Sequence, residues 1–281
     1  MVFSTDVRAL DNIIEGGFPD NRISGVFAFP NLGKSLLCNQ VAMKAASEGK
    51  KCLFLLTPSE FDSNRITNIF KDRYEVDEKN LTFLKIISGE LFASLFNLNM
   101  IINNSTNKTS VVIREKERWR KDERPIDWKI SNFQDYDLVV VDSFSELIKM
   151  TLVLDIQNFG ARSAIETQLF SAMSRTIEDY NTTFLLVHHT SKNPMARVDS
   201  QNPFGGAVLM YLSKYLLLMK TASAQLYKKY GSMARRIQRY RWTGLLRSDF
   251  IPLLIKENWG FIDVEDDDIE DLNDEEDIIG V

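Results

Sequence analysis

Apolar and polar positions alternate along this chain with two different periods. In "DVRALDNII" (6–14) apolar residues recur at helical spacing, and Gly16 and Gly17 stop the run. "ISGVFAF" (23–29) is continuously apolar and predicts a buried strand. "KSLLCNQVAMKAASEG" (34–49) returns to helical spacing and is closed by Gly49. Buried strands follow at "KCLFLLT" (51–57), "LTFLKII" (81–87), "YDLVVVD" (136–142) and "TTFLLVHH" (182–189). Helices are predicted at "SNRITNIFKD" (63–72) and at the long "FGARSAIETQLFSAMSRTIEDY" (159–180). Such strands, separated by helices, predict an α/β fold: a mainly parallel twisted sheet with helices on both faces and right-handed crossovers.

The last third changes character. "SKYLLLMK" (213–220), "ARRIQRYRW" (234–242) and "DFIPLLIKE" (249–257) read as strands joined by loops, without helices between. They predict an antiparallel C-terminal extension of the same sheet. Residues 103–130 are highly charged and weakly periodic, and read as an insertion or a mobile surface hairpin in a single core spanning 1–262.

Composition adds limits. A chain of 281 residues, 44% apolar, fits one large domain. No apolar run of about 18 residues predicts a membrane span, and the first residues lack a signal-peptide pattern. Cys38 and Cys52 both lie in apolar segments and read as reduced core residues of a cytoplasmic protein. The net charge of −5 conceals an asymmetry, because residues 263–277 hold eleven acidic side chains and no basic one. Without those eleven the remainder carries +6. The tail, 263–281, is expected to be disordered. It reads as a solubilising end, a competitor for a basic groove, or a docking strip for a basic partner.

The candidate chemistry centres on "AFPNLGKS", residues 28–35, set between a predicted strand and a predicted helix. In that context Ala28, Phe29, Pro30, Asn31, Leu32, Gly33, Lys34, Ser35 and Leu36 form a phosphate-binding loop. Backbone N–H groups and a helix N-terminus would cradle ATP phosphates. Lys34 would neutralise the outer phosphates, and the Ser35 hydroxyl would hold Mg2+. Ala28 replaces the usual first glycine, and is small enough to start the turn. Gly33 is harder to replace, because a β-carbon there would crowd the phosphates. Asp142, ending the apolar run "DLVVVD", is the second expected magnesium group, or a helix N-cap, or both.

The order of these parts resembles the ATPase core of RecA/RadA-type recombinases. "STDVRALDNIIEGG", "LVVVDSFSEL", "NPFGGAVLMYLSKYLLLMK" and "RYRW" with "FIPLLIKENWGFID" carry the resemblance, over residues 3 to 262. Order and spacing are most similar to the short archaeal RadB-like paralogues, without a helix-hairpin-helix domain or an aromatic polymerisation segment ahead of residue 3. The resemblance implies a RecA-like P-loop NTPase fold, and a nucleotide-binding regulator or mediator more than a strand-exchange filament.

The resemblance also exposes departures. Those recombinases carry a water-activating glutamate after the second strand, and this chain has Pro58 there. Proline cannot act as a base. Glu60 lies two residues on and either reaches the water or is an exposed loop charge. Glu146 is a weaker candidate, because it follows Asp142 into a helical segment. Slow or absent hydrolysis is therefore expected. His189 falls where the family places a polar sensor of the terminal phosphate. His188, next to it on a strand, must face the other way, so a zinc site is not expected. One buried and one capping histidine is the plainer alternative.

The resemblance implies single-stranded DNA contacts from Lys192 and Arg197 in the loop 190–206, and basic residues among aromatics in 226–242 add Lys228, Lys229, Arg235 and Arg236. A solvated hairpin face is the other reading of that segment. Lys214, Arg239 and Arg241 are candidates to complete a neighbouring subunit's site in a homo-oligomer. Three functions stay open: a recombinase paralogue working with DNA and a recombinase or other repair protein; a KaiC-like or archaellum-type regulatory ATPase working through protein partners; and a non-hydrolysing scaffold.

Overall fold

The computed structural model describes every residue except 60–61, 97, 106–107, 116–132, 152–158, 193–200, 205, 241–249 and 266–281. The chain enters through β1 (Val2–Phe3), α1 (Arg8–Ile13) and β2 (Phe18–Pro19), where β1 and β2 pair antiparallel. The core then alternates: β3 (Ile23–Ala28), α2 (Lys34–Ser47), β4 (Cys52–Leu56), α3 (Ser63–Phe70), β5 (Leu81–Lys85) and α4 (Gly89–Leu95). A two-stranded antiparallel ribbon follows, β6 (Leu98–Ser105) with β7 (Lys108–Glu115). Then come β8 (Leu138–Asp142), α5 (Phe144–Thr151), α6 (Phe159–Tyr180) and β9 (Thr183–Lys192). The last part holds β10 (Gln201–Pro203), α7 (Gly206–Leu212), β11 (Ser213–Thr221), α8 (Ala224–Tyr230), β12 (Ala234–Arg239), β13 (Ile251–Lys256) and β14 (Gly260–Asp263).

The main sheet runs β14-β13-β12-β11-β3-β9-β8-β4-β5, with β10 paired to β9 off this path. From β11 to β5 every neighbour is parallel, and β12, β13 and β14 add on antiparallel. The parallel centre and antiparallel extension both match the sequence expectation. Strands β3, β4 and β8 are buried at every position, because alternate residues enter two separate cores. Val26, Phe54 and Val140 join the core under α1, α2 and α3, while Phe27, Leu55 and Val141 join the one under α4, α5 and α6.

Two local features depart from the pattern reading. A short helix, α8, stands between β11 and β12, where a plain loop was expected. Ser223 caps it by accepting the Leu226 N–H, and Gly231 at φ 61° ends it. The ribbon β6–β7 starts at Leu98, ahead of the polar stretch 103–130.

The described ends of the chain meet beside α2. Gln40 is fully buried on that helix. Its Nε2 donates to Thr5 O (2.7 Å) and Phe261 O (3.1 Å), and its Oε1 accepts from Phe261 N–H (2.6 Å). Asp263, the first acid of the run read as a tail, ends β14. Its carboxylate accepts from the N–H groups of Arg8 and Ala9 at 2.8 Å each, capping α1. Arg73 donates to Trp259 O and Phe261 O and pairs with Asp6. Asp11, from the Leu-Asp pair of the sequence, gathers the Ser4 and Thr5 hydroxyls and the Thr5 N–H. These bonds fix the N-terminal segment and the β13–β14 hairpin to α2, the helix that follows residues 28–33.

Candidate nucleotide site

The expected loop lies between the C-terminal end of β3 and α2, at the edge of a parallel sheet where nucleotides are held in open α/β folds. Asn31 and Gly33 take positive φ values, 62° and 102°. Gly33 is restricted by packing as well as by its φ. A β-carbon on it would stand 2.8 Å from Phe261 Cζ, so the ring from β14 closes the back of the loop. Lys34, 6% exposed, donates from Nζ to Phe29 O at 2.9 Å, across the loop. Ser35 follows it as the second residue of α2. From the antiparallel extension, Arg235 Nε donates to Leu32 O at 3.0 Å.

The opposite wall comes from β8 and β9. Asp142 is 1% exposed and ends β8, as expected. Its backbone carbonyl accepts the Thr57 N–H at 2.8 Å, which ties the ends of β8 and β4. His189 stands opposite Ala28 in the β3–β9 register, so the sensor candidate adjoins the loop's first residue. Its Nε2 is hydrogen-bonded to Ser143 Oγ at 3.2 Å, and its backbone N–H donates to Ser145 Oγ at 2.9 Å. Burial, reinforced by the Lys149 and Lys34 ammonium groups, lowers its pKa to about 4, while Glu146 pulls the other way. The imidazole is therefore neutral near pH 7 and can act through a hydrogen bond but not a charge. His188 faces the other core against Phe144, with its ring 5.5 Å away, and burial takes its pKa to about 3. The two rings point apart, as strand geometry requires.

The residues present suit a magnesium nucleotide. A positive-φ glycine opens onto a helix N-terminus, and a lysine, a serine and a buried aspartate surround it. Among the described residues no group of three or more His, Cys, Asp or Glu side chains could hold a metal ion alone. A cation at Ser35 and Asp142 would thus depend on phosphate oxygens for further ligands. Cys38 and Cys52 are buried free thiols, each pushed up by burial.

Several expected residues fall elsewhere. Glu60, Arg197 and Arg241 lie outside the described residues. Lys192 ends β9, in the stem formed with β10. Lys228 and Lys229 are exposed on α8, beside exposed Tyr227. Arg235 and Arg236 are half-buried. The first holds Leu32 O; the second donates to Thr221 O and lies 5.0 Å from the Phe250 ring. Arg239 pairs with Glu15 at 3.1 Å and lies 4.2 Å over Tyr215. Lys214 is exposed, 5.7 Å from the same ring. Sequence reasoning did not foresee Arg235 or Phe261 at the loop, nor the Ser143 and Ser145 hydroxyls beside His189. The hydroxyl pair after Asp142 was the only local signal.

A family model described as "ATPase: KaiC" matches residues 3–267. The chain belongs to this KaiC family of ATPases. It is also similar to the DNA repair and recombination protein RadB of Methanobrevibacter smithii, 23% identical over 75% of this chain and 78% of that protein. The RadB of Archaeoglobus fulgidus is 20% identical over 79% of this chain and 85% of that protein. The crystal structure of the RadB recombinase superposes with a TM-score of 0.62 at 16% identity, covering 94% of this chain and 100% of that one. The KaiC-family chain therefore has a RecA-like α/β fold of the RadB type. Among its described residues no helix is long and apolar enough to cross a membrane.

Proposed function

We propose that this KaiC-family chain binds ATP with Mg2+ at residues 28–36 and acts on single-stranded DNA as a mediator or regulator of homologous recombination, hydrolysing ATP slowly. The observation that carries the nucleotide reading is the approach of Lys34, Asp142 and His189 at one end of adjoining strands. Loop N–H groups and the α2 N-terminus would take the phosphates, Lys34 the outer ones. Ser35 and Asp142 would hold the cation, which neutralises charge on the phosphates. His189 would report the terminal phosphate to the β9–β10 stem, whose Phe204 N–H donates to His189 O at 2.8 Å.

The DNA reading is supported by the two RadB relatives, which are named as DNA repair and recombination proteins. Phosphate contacts are assigned to Lys192, Arg197, Lys228 and Lys229, while Arg235 and Arg236 stay on their internal partners. Lys214, Arg239 and Arg241 would serve a neighbouring copy in a homo-oligomer, and a recombinase or other repair protein is the expected partner. A second reading is favoured by those internally engaged arginines and by the KaiC description: a regulatory ATPase directed at proteins.

Single-stranded DNA binding followed by fluorescence anisotropy separates the two. It would be run with and without ATP and Mg2+ at two salt concentrations, on the full chain, a chain ending at Glu265 that keeps the Asp263 cap, and Lys34→Ala. Salt-sensitive binding that responds to ATP, and loses the response in Lys34→Ala, supports the DNA reading. Absence of DNA binding in every form that binds ATP supports the protein-directed one.

A further inference from the structure

Glu146 lies in the first turn of α5, four residues after Asp142. Its neighbours Phe144, Ser145, Leu147 and Ile148 are buried, while Glu146 is half-exposed. The carboxylate leans across to the end of β4. Oε2 accepts from Thr57 Oγ1 and from Ser59 Oγ, both at 2.7 Å. Thr57 and Ser59 flank Pro58, so a carboxylate from another element occupies the ground where the chain's own residue has no acid. Both the Glu146 carboxylate and the Lys34 ammonium act on the His189 imidazole, in opposite directions. Two hydroxyl donors on one oxygen orient the carboxylate, and both hydrogen bonds from described residues fall on Oε2.

The geometry points to Glu146 as the carboxylate that takes the proton from the water attacking a bound nucleoside triphosphate. This rests on the nucleotide reading above. In the step, the water oxygen forms a bond to the terminal phosphorus while the bond from that phosphorus to the bridging oxygen breaks. The bond electrons leave on the diphosphate. The water proton goes to Glu146 and then to solvent. Thr57 and Ser59 are positioning residues. A purely structural carboxylate, stitching α5 to β4 and favouring a helix N-terminus, would make the same two hydrogen bonds.

Two measurements on the full chain with Mg2+ distinguish these roles: ATP affinity from a fluorescent analogue, and phosphate release under single turnover. Glu146→Gln keeps an oxygen that accepts from Thr57 and Ser59. Its affinity is expected within about threefold of the parent, with release slowed about 100-fold. Glu146→Asp should recover part of the rate. Thr57→Val with Ser59→Ala should slow release about tenfold at unchanged affinity. Release by Glu146→Gln at the parental rate overturns the assignment. So does parental release no faster than that of Lys34→Ala, or an affinity loss in Glu146→Gln that matches its rate loss. Slowing in Glu60→Gln with Glu146→Gln unaffected would move the role to Glu60. Failure of the parent to bind ATP at all would instead remove the nucleotide reading.

Discussion

The Phe261 ring reaches within 2.8 Å of where a β-carbon on Gly33 would stand, so a C-terminal strand backs the loop 28–33 from 228 residues further along the chain. Gly33→Ala therefore meets two obstacles, a φ of 102° and a ring 2.8 Å away. The expected result is a stability loss of about 1–3 kcal/mol together with lost ATP binding. Urea unfolding and an ATP titration check it, and unchanged affinity would contradict it.

Gln40 holds the described ends of the chain to α2 through three hydrogen bonds in a fully buried position. Gln40→Leu keeps roughly the volume and leaves Thr5 O and both Phe261 backbone groups without that partner. It should destabilise the chain by about 2–4 kcal/mol, measured by urea unfolding.

Arg235 and the α8 lysines should behave differently although all were read from one basic segment. Arg235 is tied to Leu32 O, and burial lowers its pKa. Arg235→Ala should lower stability by about 1–2 kcal/mol and weaken ATP binding. It should leave the salt dependence of DNA affinity unchanged. Lys228→Ala or Lys229→Ala should each reduce that log–log salt slope by about 0.7. Equal slope changes for the arginine and the lysines would refute the distinction.

His188 couples stability to pH. Its folded pKa, about 3, lies below the ordinary 6.5, so the unfolded chain binds the proton more readily. The stabilisation is complete above pH 6.5 and is lost as pH falls toward 3. Glu166 acts oppositely. Burial raises its carboxyl to about 7 from 4.5, so its contribution falls as pH rises through that interval. Comparing variants isolates the histidine. From pH 6.5 to 5, His188→Leu should lose about 1.6 kcal/mol less stability than the parent, as read from urea midpoints at each pH.

The strand–loop–helix unit, Asp142 and the His188/His189 division were legible because each depends on local pattern. A buried strand is continuous in apolar residues, and neighbouring strand residues face apart. The links completing the site were not legible. Arg235 with Leu32, Phe261 with Gly33, and Glu146 with Thr57 and Ser59 join residues 87 to 228 positions apart, and no spacing rule connects them. By sequence Glu146 ranks behind Glu60 because it follows Asp142 into a helical segment. The first turn of α5 instead brings it over Thr57. The helix α8 was missed because aromatic and basic residues masked the Ser223 cap and the Gly231 stop.

The central claim is that residues 28–36 bind a nucleotide although Ala28 replaces a glycine. Isothermal titration of the full chain with ATP and Mg2+, beside Lys34→Ala, tests it most directly. Saturable binding at one site per chain, weakened at least about tenfold by Lys34→Ala, is the predicted result. No binding, or equal affinity in both proteins, would contradict it.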